Sequence, residues 1–261
     1  MNIHYKSSSI ASFYAQNRVQ WDQFYPSEQY IFEKVFSQNK NIKTVLDVGC
    51  ACGGLGAALN SRFGIAHYTG VDINRASIDI AHSSKFSNSL GTFFECADIS
   101  AAPESLKGKE FDLVVSLGCA DWNTDTRKII QTCWEHTAIG GQFVFSFRLT
   151  NQNSLRSIDD GFQYVHFEEG TPLTGAEEKA PYVVTNIHEM FRMIDEFRPK
   201  PSRIMGYGYW GTPSAMAVIP YREIVFAVIA VRKEGPLAPN TVSELTLPLS
   251  LFLSNTEVAQ V

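Results

Sequence analysis

Residues 43–56 read Lys-Thr-Val-Leu-Asp-Val-Gly-Cys-Ala-Cys-Gly-Gly-Leu-Gly, and the reading of this stretch decides the fold. Val45, Leu46 and Val48 are the β-branched and bulky apolar residues that a buried parallel strand wants. Asp47 stands at the carboxyl end of that strand. Gly49, Gly53, Gly54 and Gly56 follow, and Ala57, Ala58 and Leu59 begin a helix. A strand running through a glycine turn into a helix N-terminus makes a ligand cradle. Its backbone N–H groups and the positive end of the helix dipole point at whatever sits there.

Downstream the same unit recurs. HYTGV (67–71) reads as a second strand ending on Asp72, and Asn74 can cap a helix carrying Ala76, Ile78, Ile80 and Ala81. A third strand over 92–95 leads to Cys96-Ala97-Asp98-Ile99. FDLVVSL (111–117) is a fourth, followed by Gly118-Cys119-Ala120-Asp121-Trp122-Asn123. Thr124 or Asp125 caps a helix with Ile129, Ile130, Cys133, Trp134 and Thr137 on one face. Gly140-Gly141 is expected to break it before a fifth strand, QFVFSF (142–147). Strands and helices alternating at this spacing predict a parallel sheet with right-handed crossovers and helices on both faces. Ligands of such sheets lie outside the carboxyl ends of the strands. Asp47, Asp72, Asp98 and Asp121 with Trp122 therefore converge on one edge.

The flanks are less regular. Residues 1–41 are rich in aromatics, and Pro26-Ser27-Glu28 starts a helix whose face is Ile31, Phe32, Val35 and Phe36. Tyr14, Trp21 and Tyr25 either pack on the domain or form a lid over the site. Residues 149–185 are polar and read as an insertion reaching over the site. Asn186 caps a last helix with Ile187, Met190, Phe191, Ile194 and Phe197 on one face, and Pro199 and Pro201 stop it. Segments 202–210 and 223–232 are extended and plausible antiparallel partners at the sheet edge. Residues 235–261 read as a tail with no domain in it, Leu245–Leu253 packing on a neighbour. The expected division is an N-terminal helical cap over 1–41, a domain over 42–234 with the insertion 149–185, and the tail 235–261.

The 261 residues suit one large α/β domain, and 44% hydrophobic content is enough for a full core. A net charge of −5 argues against a general nucleic-acid footprint. No apolar run approaches the roughly 18 residues that span a membrane, and MNIHYKSSSI lacks the apolar centre of a signal peptide. A cytoplasmic protein with no membrane contact is expected. Five cysteines, an odd count, fit reduced buried thiols. Cys50-x-Cys52 without matching Cys or His pairs is a poor zinc pattern, so no metal is expected.

What the cradle holds follows from its departures. A dinucleotide fingerprint wants G-x-G-x-x-G after the strand, but Ala51 stands in place of the second glycine. Asp47 would repel a pyrophosphate and suits a cation instead. Asp72 can accept hydrogen bonds from both ribose hydroxyls, and Asp98 can reach an exocyclic adenine amine. A ligand with an ammonium, a ribose and an adenine but no phosphate is S-adenosyl-L-methionine. A dehydrogenase is disfavoured by the same residues.

The chain resembles the class I S-adenosylmethionine-dependent methyltransferases over about residues 40–232. VLDVGCACGGLG resembles the family's first motif, GVDIN holds the ribose acid Asp72, and CADIS holds Asp98-Ile99 of the adenine-side motif. FDLVVSLGCADW resembles the motif ending strand 4. The resemblance implies a Rossmann-like, seven-stranded, mostly parallel α/β sheet with an antiparallel last strand. It implies cofactor contacts at Asp47, Gly49, Cys50, Ala51, Gly53, Asp72, Ile73, Asp98 and Ile99, with Leu117 and Gly118 lining the methionine side.

The acceptor is less legible. Methyl transfer needs positioning, and a base only if the acceptor must lose a proton. Asp121 and His166 are the candidate bases. Tyr14, Tyr25, Trp122, Arg148, Tyr207 and Trp210 are the candidate shapers of the acceptor site, with Arg148 a possible holder of an anionic acceptor. Asp121-Trp122-Asn123 is not the N/D-P-P-Y/F signature that resembles nitrogen-directed enzymes. A small-molecule methyl acceptor, methylated on O or N, is expected, with a sugar or secondary metabolite a guess, and a homodimer is left open. RNA or protein methylation, or a non-catalytic S-adenosylmethionine-binding scaffold, are the alternatives.

Overall fold

The structure, a computed structural model, describes residues 9–88, 91–165, 172–235 and 240–253. In chain order the elements are α1 (Ser9–Tyr14), α2 (Pro26–Gln38), β1 (Thr44–Val48), α3 (Gly54–Phe63), β2 (His67–Asp72), α4 (Arg75–Ser83) and β3 (Gly91–Cys96). Then come β4 (Phe111–Ser116), α5 (Thr126–Glu135), β5 (Thr137–Thr150), β6 (Phe162–Tyr164), β7 (Lys179–Pro181), β8 (Thr185–Asn186) and α6 (Ile187–Asp195). The chain continues through β9 (Pro201–Gly211), β10 (Ala217–Val218), β11 (Ile224–Lys233) and β12 (Val242–Thr246).

The main sheet runs β3-β2-β1-β4-β5-β11-β9-β12, and β8 adds a short pairing to β5. Strands β1 to β5 are mutually parallel, and β11 is antiparallel to both β5 and β9. Side chains alternate across the sheet, so β1 sends Val45 to one face and Leu46 to the other. On the Leu46 face α5 and α6 bury Trp134, Phe197, Phe143 and Phe145. On the Val45 face α2, α3 and α4 bury Phe32, Leu59 and Ile78. Both helix starts read from the sequence are capped by the expected side chains. Asn74 accepts from the Ser77 N–H, and Asn186 from the His188 N–H. At α5 the cap is Asp125, which accepts from the Lys128 N–H.

The structure departs from the sequence reading in three places. First, among the described residues the sheet has nine strands, the short β8 and the tail strand β12 standing beyond the seven expected. The tail packs through Leu245 as its apolar run suggests, but as a strand: β12 lies parallel along β9, pairing Leu245 with Gly206. Second, Gly140-Gly141 does not end a helix. Helix α5 stops at Glu135, and the glycines lie inside β5, where the pairing with β4 slips between Phe111 and Leu113. A Cβ on Gly141 would sit 2.9 Å from the Ala138 carbonyl oxygen, so the slip needs glycine there. Third, the insertion is partly ordered: β6 pairs with β7 and with β10, forming a second, three-stranded sheet.

Candidate active site

A cavity of about 770 Å³ opens at the carboxyl ends of the parallel strands, within the range of roughly 300–1,000 Å³ typical of ligand pockets. The N-terminal segment, the β6 side of the small sheet and the ends of β9 and β11 close it over.

The glycine turn forms one wall. Gly49 and Gly53 have φ of 80° and 79°, left-handed values that glycine adopts at no steric cost. A Cβ on Gly49 would lie 2.5 Å from the Cys119 Cβ, so the turn also needs glycine for closeness to the β4 loop. Ala51 is left-handed too, at φ 47°. Its N–H donates to Asp72 Oδ2 at 2.8 Å, and the Asn74 N–H donates to Oδ1 at 2.8 Å. Two backbone donors thus fix the Asp72 carboxylate while each oxygen keeps a second lone pair for a ligand. Burial raises the Asp72 pKa, and these N–H groups oppose the rise.

Asp47 is buried on the same wall and accepts the Tyr68 hydroxyl at 2.5 Å. Burial pushes its carboxyl up to about 7, the Tyr68 bond opposes this, and the negative Asp72 adds to it. Asp98 lines the cavity and also takes the Ser100 N–H and hydroxyl on Oδ1, at 2.8 and 2.7 Å, which caps a short turn. Cys50, Ile73, Ile99, Leu117 and Gly118 line the cavity as well. Gly118, at φ 55°, donates its N–H to Ser146 Oγ at 2.7 Å. Gly53 is not in the lining. It caps α3, and a Cβ there would meet the Phe94 ring at 2.6 Å.

The other end of the cavity centres on Asp121 and Arg148, both buried. Arg148 Nε lies 3.4 Å from Asp121 Oδ2, and its Nη1 donates to the Asp121 carbonyl at 3.0 Å. The guanidinium carbon sits 3.8 Å from the Tyr182 ring centre and 5.0 Å from that of Trp122, a cation held by two aromatic faces. Asp121 Oδ1 has no hydrogen-bond partner. Burial raises the Asp121 pKa, and Arg148 opposes the rise. Tyr14 and Tyr25 line this end, and burial also raises the Tyr14 hydroxyl.

Two expected shapers lie elsewhere. Tyr207 stacks on Tyr30 of α2 at 4.6 Å, and Trp210 donates its Nε1–H to Ser250 Oγ at 3.1 Å on the opposite face. Strand alternation turns Trp210 to the other face, and position along β9 sets Tyr207 apart. Tyr209 shares the face of Tyr207 but is two residues nearer the carboxyl end, so it reaches the cavity and Tyr207 does not. His166 lies outside the described residues.

Sequence reasoning missed Arg18, Glu28 and Tyr182. Arg18, itself left-handed at φ 61°, pairs with buried Glu28 at 2.8 Å, and Glu28 also accepts the Tyr25 N–H at 2.8 Å. Nothing local marks a pair ten residues apart. Tyr182 opens Tyr182-Val183-Val184, the one apolar run in a polar insertion, and that contrast was the available signal.

A mostly parallel sheet in which β11 runs reversed, an acid before a glycine turn and further acids after the next two strands resemble the arrangement of class I S-adenosylmethionine-dependent methyltransferases. Residues 45–141 match the family model described as a methyltransferase domain. The malonyl-[acyl-carrier protein] O-methyltransferase of Bacillus anthracis is 27% identical over 132 residues, 50% of this chain and 46% of that protein. The ubiquinone biosynthesis O-methyltransferase of Pseudomonas paraeruginosa is 28% identical over 123 residues, 47% of this chain and 52% of its own. The chain thus spans about half the length of the curated relatives it matches. Among solved structures, a S-adenosylmethionine-dependent methyltransferase from Clostridium acetobutylicum shares the fold at TM-score 0.52 and 17% identity, over 80% of this chain and 91% of that one. The N-terminal domain of EvdMO1 with SAH bound does so at TM-score 0.54 and 13% identity, over 84% and 82%. Among the described residues no helix is long and apolar enough to cross a membrane.

Proposed function

We propose that the protein transfers a methyl group from S-adenosylmethionine to an oxygen of a small acceptor. The observation carrying this is that one cavity holds the cradle of Asp47, Asp72 and Asp98 at one end and the buried Asp121–Arg148 pair at the other. Two curated relatives named as O-methyltransferases support oxygen as the receiving atom.

When bound, S-adenosylmethionine supplies an electrophilic methyl group. Asp72 would hold the ribose hydroxyls, since its carboxylate is already oriented by two backbone donors. Asp47 would face the ammonium, and Asp98 the adenine amine. On the acceptor side Asp121 takes the proton that a hydroxyl gives up. Its burial makes it a stronger base than an exposed carboxylate. Arg148 acts as a positioning residue: its Nε pairs with the Asp121 carboxylate, its Nη1 donates to the Asp121 carbonyl, and its guanidinium is covered by the Tyr182 and Trp122 rings. The aromatic walls exclude water from the transfer.

Calorimetry with S-adenosylmethionine or its demethylated product tests the cofactor half. Micromolar binding is expected, lost on Asp72→Ala. Tight binding of NADH in its place would overturn the reading.

A further inference from the structure

The charges of the cavity restrict the acceptor more than its shape does. Among the described lining residues the acids are Glu28, Asp47, Asp72, Asp98 and Asp121, and the only cations are Arg18 and Arg148. Neither cation is available to a ligand's negative charge. Arg18 is paired with Glu28 at 2.8 Å and covered by the Phe24 ring at 4.7 Å. Arg148 is paired with Asp121 and lies between the Tyr182 and Trp122 rings. S-adenosylmethionine brings a sulfonium, an ammonium and one carboxylate, a single net positive charge, and so leaves the cavity acidic. An anionic acceptor would then meet like charge in a low-dielectric site, with no free cation among the described residues to offset its desolvation. Asp121 lines the acceptor end, and its Oδ1 is buried without a hydrogen-bond donor, so the polar group there that still wants a partner is an acceptor rather than a donor.

We infer that the acceptor is an uncharged or cationic molecule bearing a hydroxyl or amine that donates a hydrogen bond to Asp121, and that carboxylates and phosphates are excluded. The inference deepens the methyl-transfer reading and rests on it for the cofactor's place in the cavity. It also assigns Arg148 to neutralising Asp121 rather than to gripping a substrate anion.

A matched set of ring fragments tests this, because Phe13, Tyr14, Trp122, Tyr182 and Tyr209 give the cavity aromatic walls. Phenol, benzylamine, benzoate and phenyl phosphate are titrated into the protein with and without saturating S-adenosylhomocysteine. Phenol and benzylamine are expected to bind about tenfold or more tightly than the two anions. In Asp121→Asn, Arg148 loses its counter-charge. Benzoate should then gain and phenol weaken, while S-adenosylhomocysteine affinity stays unchanged. A merely structural role for Asp121 would weaken all four fragments alike. Benzoate or phenyl phosphate binding the natural protein as tightly as phenol would overturn the inference, and so would no binding of phenol and benzylamine. Should Asp121→Asn not fold, the order in the natural protein decides alone. Loss of S-adenosylhomocysteine binding sinks the cofactor reading instead, while the fragment order in its absence still judges the acceptor.

Discussion

Asp47 carries a proton at a pH where an ordinary carboxyl is long ionised. Its pKa of about 7, against the usual 3.8, means that the folded protein keeps a proton that the unfolded chain has already lost. The contribution of Asp47 to stability therefore falls as pH rises from about 4 to about 7, because its carboxyl keeps a proton in the folded state through that window. Thermal melting across this range should show the decline, and Asp47→Asn should flatten it. The same proton stands against a cation at this carboxylate. S-adenosylmethionine binding is expected to tighten as pH rises through 7 and to release a proton, visible as a buffer-dependent calorimetric enthalpy. Ala51, next to it in the turn, holds a left-handed φ of 47° against the preference of an L residue, at about 1 kcal/mol. Ala51→Gly should raise stability by up to about 1 kcal/mol in urea titrations, less what glycine adds to the freedom of the unfolded chain. The sequence alone flagged Ala51 as the odd member of the turn. That its N–H is anchored by Asp72 at 2.8 Å appears only once the next strand lies beside it.

At the scale of elements, the segment before α2 is seated on the first turn of α3. A Cβ on Gly54 would stand 2.2 Å from the Arg18 carbonyl oxygen, so this glycine sets the approach of the N-terminal segment as much as the shape of the turn. Gly54→Ala should lift residues 9–25 off the cavity without disturbing the sheet. Trypsin should then cut faster after Arg18, and S-adenosylhomocysteine should bind more weakly, while far-ultraviolet circular dichroism stays as it was. The choice between lid and packing for Tyr14, Trp21 and Tyr25 also resolves at this scale. Tyr14 and Tyr25 line the cavity, whereas Trp21 packs on Phe63 of α3 with ring centres 5.3 Å apart. Helices and strands from β1 to α5 are legible because each carries its own apolar period, and α4 and α5 a capping side chain as well. Strand β5 was read too short at both ends, since the glycines that mark its irregular start look like a helix stop.

Across the whole molecule, the tail is part of the sheet. Leu245 lies where a Cβ on Gly206 would be, at 2.8 Å, and Leu247 stands in the same relation to Gly208 at 2.9 Å. The glycines of Gly206-Tyr-Gly-Tyr-Trp-Gly211 thus leave room for the tail's leucines, and β12 covers the edge that β9 would otherwise expose. Gly208→Val should block Leu247 and cost roughly 1–3 kcal/mol through overpacking. It should also speed amide exchange over Val242–Thr246. The apolar run Leu245–Leu253 announces that the tail packs on a neighbour, but not that it does so as a strand along β9, because that surface lies some forty residues away and is written as missing side chains.

The class of fold, the order of its strands and the acids at their carboxyl ends follow from local pattern: apolar runs, caps and a glycine turn repeat at short spacing, and each is encoded within a few neighbouring residues. The pairing of Arg148 with Asp121, of Arg18 with Glu28, the turning of Tyr207 and Trp210 away from the cavity and the docking of the tail follow from contacts between distant segments. Those depend on which face of a strand meets which neighbour, and that is set when the layers pack, not by the period of any one element.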